Sequence, residues 1–275
     1  RTADATLVVT ITGLVRHAPV LNGHVEGSLQ ILSGEGFALN SNSAVSGDLL
    51  VPGMPVVRLN GAPNYGGTLD GNGNAVPAGQ QITLNSGAAL RHLVRRTDPI
   101  SLETVSAPLL PTGARTVSLN SAGQSAGDFA TLRNLTLNSN VGQVVVPPGT
   151  YGNFTANGGS GFTLGVVGAS EPAIYNLQAL TVNSGARLEI VGPVILTLAS
   201  GVSLNASAGD AAHPEWLTVR VAAGGVTLNS SVTLDALVFA PAGTITINGN
   251  SQLTGRVECD RLVINSSGVL QETAP

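Results

Sequence analysis

Apolar and polar residues alternate in short runs along most of this chain. Examples are Ser28-Leu-Gln-Ile-Leu, Ala179-Leu-Thr-Val, Arg187-Leu-Glu-Ile-Val, Val194-Ile-Leu-Thr-Leu, Trp216-Leu-Thr-Val-Arg-Val, Thr244-Ile-Thr-Ile and Arg261-Leu-Val-Ile. A period of two puts one file of side chains inward and one outward, which is the signature of a half-buried strand. Gly, Asn and Ser clusters separate the runs and read as turns. No long segment of 3.6-residue period competes, so the expected class is all-β.

Ten of these runs end in an aliphatic residue followed by asparagine: Asn40, Asn60, Asn85, Asn120, Asn138, Asn183, Asn205, Asn229, Asn248 and Asn265. Gaps between them run from 17 to 45 residues, and Ala156-Asn157 splits the longest into 19 and 26. Recurrence near 20 residues marks a solenoid, whose coils cannot bury their apolar faces alone and must stack. Asparagine tolerates the left-handed backbone of a tight turn. Its side-chain amide can also bond to the amides one coil above and below, forming a structural ladder. About ten coils at ~4.8 Å each predict a body ~50 Å long.

The expected organisation is an N-terminal strand segment over 1–26, a parallel β-helix over 27–270 and a tail over 271–275. Residues 5–15 read as a strand outside the repeat, serving as a cap, a linker or an edge that pairs with another subunit. Two loop excursions interrupt the coils. One fills 86–118, with a possible short helix over 88–96 and an extended stretch enforced by Pro99, Pro108 and Pro111. The other runs from Gly209 to Trp216.

Composition narrows the function classes. The 275 residues carry 10% charge and a net of −4, and all 12 cations are Arg. Nucleic-acid binding wants a basic surface and is not expected. No apolar run approaches the ~20 residues of a membrane helix. Aromatics at 3% are too few for large rings to fill the interior. The single cysteine, Cys259, rules out an internal disulfide and reads as a small buried hydrophobe. A chain opening on Arg1 is expected to be a processed or excised piece of a longer protein, and the Ser/Thr/Asn coat fits an exported one.

Candidate chemistry is sparse. Arg91, His92, Arg95 and Arg96 could grip an acidic sugar, since Arg binds carboxylates bidentately; a solvated loop whose cations pair with local acids is the plainer reading. Asp70, Asn72 and Asn74 alternate as calcium ligands do, but Ala75 and Gln81 stand where such a loop needs Gly and Glu. No other cofactor is implied. Glu258 and Asp260, two apart on one strand, have a spacing that fits paired glycosidase carboxylates. Trp216, with His213 and Glu215, could stack on a sugar. The outward threonines Thr227, Thr244 and Thr246 look too irregular for an ice- or mineral-binding face. No nucleophile elbow, phosphate loop or Cys/His metal set occurs.

The repeated Leu-Asn-Ser/Gly turns, Val45-Ser-Gly-Asp-Leu-Leu-Val-Pro-Gly and Ala240-Pro-Ala-Gly-Thr-Ile-Thr-Ile-Asn-Gly-Asn resemble the β-helical repeat domains of large bacterial cell-surface proteins, over residues ~27–270. The resemblance implies a right-handed parallel β-helix acting as a surface stalk, adhesin or pilus-associated module. Its partners would be copies of itself, neighbouring surface-protein domains or polysaccharide. Pectate-lyase-like and polygalacturonase-like enzymes share that fold, but their Asn-Thr-Asp, Asp-Asp, Gly-His-Gly and Arg-Ile-Lys motifs do not occur here. The expectation is an extracellular or cell-surface structural protein rather than an enzyme. The alternative is a β-helix that binds or cleaves acidic polysaccharide.

Overall fold

A computed structural model describes residues 11–229 and 231–272. The chain is 54% strand and 2% helix. Its strands pair in parallel with partners one layer away. Val194–Leu198 and Leu217–Val221 show why: Val194, Leu196 and Leu198 point inward beside Leu217, Val219 and Val221, while Ile195 and Thr197 face out. Parallel neighbours in register stack like residues into continuous apolar files.

The pairings sort into three rows. In each full layer the chain passes through the first, second and third row in turn. Ile11–Val15, Val20–Leu21 and His24–Glu26 make one such layer. The aliphatic residue before each asparagine forms the inward file of the second row. Its order is Leu119, Leu137, Ala156, Val182, Leu204, Leu228, Ile247, Ile264, Leu21, Leu39, Leu84 and Leu59. The asparagines follow in the same order at the turn to the third row. Amide-to-amide bonds join Asn138 to Asn120, Asn183 to Asn157, Asn229 to Asn205, Asn265 to Asn248, Asn22 to Asn265, Asn40 to Asn22 and Asn60 to Asn85.

Layer order is not chain order. Residues 11–26 do not lie outside the repeat: Leu21-Asn22-Gly23 is a further copy of it. Ile11–Val15 has both edges occupied, by the strand Gln252–Ile264 on one side and by Ser28–Ile31 on the other, so this part of the expected 5–15 strand has no free edge for another subunit. Residues 5–10 lie outside the described residues. A second exchange occurs near residue 60. Leu39 pairs with Leu84, and Leu84 with Leu59, so 78–95 inserts beneath the layer that precedes it in sequence. Long strands bend through corners and belong to two rows. As a result the pairings close a ring of six strands: Ile11–Val15, Ser28–Ile31, Ala44–Leu50, His24–Glu26, Val269–Gln271 and Gln252–Ile264.

The expected helix over 88–96 is instead the strand Ala89–Arg95. Leu90 ends its third-row part and Leu93 begins its first-row part, so the corner turns both inward with helix-like spacing. Beyond it, residues 97–114 form a strap. Between 98 and 113 it makes no backbone-to-backbone hydrogen bond. It runs back along the first row, touching Gln30 through the Asp98 carbonyl, Arg220 through Glu103, and Gln178 through the carbonyls of Pro108 and Leu109. In register order Phe239, Glu258 and Leu14 lie between Arg220 and Gln30, which explains why Leu14 and Glu258 face outward yet are buried.

The two ends of the stack differ. Leu119 is 3% exposed, and Ala126 and Phe129 of the segment 120–131 join the same apolar core. Arg115 holds that cap by the carbonyls of Ala126 and Asp128, and Phe129 meets Tyr151 edge to face. At the other end Leu59 is 52% exposed, with Val56 and Leu69 also bare. Large rings do fill part of the interior, against expectation: Tyr151, Phe154, Phe162 and Tyr175 are buried near the capped end, with successive centroids of 4.9 and 5.3 Å for the first three. Cys259 is fully buried beside Val257, and burial pushes its thiol up.

Candidate functional site

The three faces offer different chemistry. The first row lies under the strap. The second is open and carries a file of hydroxyls: Ser118, Thr136, Thr155, Thr181, Ser203, Thr227 and Thr246. Thr181 and Ser203 are placed together by the pair Val182 and Leu204. These side chains are exposed or half-buried and repeat every ~4.8 Å. The flanking outward positions Thr116, Asn134, Asn153, Ala179, Gly201, Gly225 and Thr244 are also uncharged. The threonines that look irregular in sequence are regular in register. Stacking, not local spacing, aligns them.

The third row is indented. One layer contributes only Ala208–Gly209 to it, because residues 210–216 leave for a turn and the short 3-10 helix Pro214–Trp216. A groove of about 700 Å³ opens there, lined by Arg187, Glu189, Ser207, Asp210 and Asp235. The Thr163 hydroxyl donates to Glu189 at 2.9 Å. Asp235 is 7% exposed, and burial pushes its carboxyl above the ordinary range. A Thr254 hydrogen bond opposes that shift and Asp210 adds to it. Sequence reading missed these acids, which lie a layer apart and share no local motif.

The arginine cluster is spent largely on local acids. Asp48, 2% exposed, accepts from Arg91 Nε at 2.8 Å and lies 3.1 Å from His92 Nδ1. The Arg91 bond holds its carboxyl below the usual range, against burial. Arg95 pairs with Asp70, with a second contact at 3.3 Å, and lowers that carboxyl too. Arg96 donates to the Gly73 carbonyl at 3.0 Å. A cleft of about 370 Å³ beside Arg91 and His92, with Ser46 and Asn64, is what the cluster leaves open.

Calcium finds little support at Asp70. Its carboxylate is engaged by Arg95, and Asn72 and Asn74 are exposed. Among the described residues no group of three or more His, Cys, Asp or Glu is arranged to hold a metal ion. Glu258 accepts from Arg256 at 2.8 Å and Asp260 from Arg16 at 2.8 Å, so each carboxylate is tied to an arginine. Trp216 stacks on His213 at 4.0 Å, and His213 Nδ1 lies 3.0 Å from Glu215. One face of the indole is thereby taken by the imidazole.

Among the described residues no helix is long and apolar enough to cross a membrane. Compared with known protein families, curated proteins and solved structures, the chain matches none.

Proposed function

We propose that this protein is an exported structural rod, a right-handed parallel β-helix that acts as a cell-surface scaffold or filament-forming subunit and offers its second-row face for adhesion. The observation that carries this reading is the continuity of the inward aliphatic file through every layer, including those out of chain order, with amide bonds between stacked asparagines at seven of its steps. A stack held by backbone pairing, apolar files and amide bonds is stiff, and stiffness is what a stalk or scaffold needs. The open hydroxyl face supplies hydrogen-bonding area without charge, suited to neutral partners.

Electron microscopy of the purified chain tests it. Rods near ~50 Å, single or joined in regular filaments, are expected; compact particles without an axis would refute it.

The groove favours one other reading, a polysaccharide-binding or polysaccharide-cleaving protein. Its acids would be Asp235 and Asp210 rather than Glu258 and Asp260, because a buried carboxyl with a raised pKa beside a second one suits general acid chemistry. Absence of both binding and cleavage across a panel of acidic and neutral glycans would remove that reading.

A further inference from the structure

The stack is made of two blocks, 11–95 and 115–272, that meet at one layer boundary. Gly13, Leu14 and Val15 pair with Val257, Glu258 and Cys259; Val20 and Leu21 with Val263 and Ile264; and His24, Val25 and Glu26 with Val269, Leu270 and Gln271. Arg16 bonds to Asp260 at 2.8 Å, Arg261 to the Ala18 carbonyl at 3.0 Å, and Asn22 to Asn265 at 3.5 Å. That last contact is longer than the other amide steps of the ladder, which run from 2.6 to 3.0 Å. Within the described residues, the strap is the covalent link between the blocks.

We propose that this boundary is an exchangeable docking surface whose partner is a second copy of the chain. Block 11–95 of one molecule seats on block 115–272 of another, and the reverse, giving a two-fold pair of rods. Every backbone pair and ion pair of the boundary is reproduced, so the exchange gives up there only the strap's cover over Leu14 and Glu258. The strap permits it. Within one molecule it must run about ten layers, ~50 Å, and its 18 residues reach ~60 Å when extended. In an antiparallel pair of rods, the open end of one rod lies beside the capped end of the other. Each strap then crosses only between neighbouring rods. The strap's light tethering fits such release: Leu109 is 85% exposed, and two glutamines and one ion pair hold the span 98–113. This inference is independent of the surface-scaffold reading, since exchange requires only the boundary and the strap.

Two experiments test it. Deleting residues 102–107 leaves 12 strap residues with a reach of roughly 40 Å, too short for one molecule yet long enough between rods. Light scattering is expected to show a folded dimer; a folded monomer would overturn the proposal. If the deletion variant does not fold, the second experiment decides. Full-length Arg16→Asp and Asp260→Arg variants, differently tagged, are refolded together. Each alone places like charges at the boundary, whereas a mixed pair restores both ion pairs. Mixed dimers should exceed random pairing roughly fivefold. Monomers alone, or random pairing, would overturn the proposal.

Discussion

Joining residue 275 directly to residue 1, and opening the chain between Glu103 and Thr104, should produce a protein that folds much as before. In the structure Glu272 N donates to the Glu26 carbonyl and Ile11 pairs with Ser28, so both ends lie within two residues of Gly27. The permuted chain would run 104–275 and then 1–103, following the stack order continuously through the layer 37–50. The cost lies in the strap. Fraying its cut ends risks one exposed ion pair, worth about 0.2–1 kcal/mol, and three hydrogen bonds at about 0.5–1.5 kcal/mol each. With only part of these lost, the penalty is about 2 kcal/mol. For a chain of 275 residues, that lowers the melting midpoint by about 3–4 °C. Circular dichroism and calorimetry would measure it. Had the layers stacked in chain order, residues 11 and 272 would sit at opposite tips ~50 Å apart, and the remaining 13 terminal residues would reach only ~43 Å. Loss of the cooperative transition in the permuted chain would therefore refute the layer order.

Asp48→Asn should cost about 1–2 kcal/mol at neutral pH, since a buried charge-assisted bond is weakened. Because the native carboxyl is lowered, its stabilisation is full above the unfolded range near pH ~4 and fades as pH falls through the native value. The variant's acid limb should be flatter in urea titrations at stepped pH. Asp235→Asn should act the other way: a raised native pKa penalises the ionised form at neutral pH, so the variant gains stability there and loses that advantage in acid. Asn183→Ala should cost about 1–2 kcal/mol in denaturant midpoint by removing its 2.8 Å bond to Asn157. Cys259 should resist maleimide in the native protein and react once denatured, since it is buried and its thiol is pushed up; rapid native labelling would contradict its placement.

Alternation and the Leu-Asn turns were sufficient to read most strands, because they follow from local spacing; the ladder was read only in part, since three of its seven amide bonds run through Asn22 and Asn157, outside the ten expected asparagines. Layer order was not readable. Every layer carries nearly the same aliphatic-Asn signature, so by local rules any layer can stack on any other. Leu21-Asn22-Gly23 displayed that signature 18 residues before Asn40 and was the one legible clue to the N-terminal layer. The stretch 88–96 misled because a corner between rows reproduces helical spacing at Leu90 and Leu93. The hydroxyl file and the groove acids depend wholly on stacking, so neither has a local signal. Asp48 was equally silent: nothing in Gly47-Asp48-Leu49 announces a partner at Arg91.

The adjacency of Glu272 and Ile11 has a mechanical consequence. Both leave the stack at one layer boundary, four second-row strands from the open end and eight from the cap. In the proposed rod, sequence fused to either side would make a crossbar on a stem, with both tips free to sweep. A pull between the two sides would load the boundary at Gly27, where φ is +140° and a side chain would strike Thr12, and would leave the remaining layers slack. Such a crossbar would yield first at that boundary, with each arm intact.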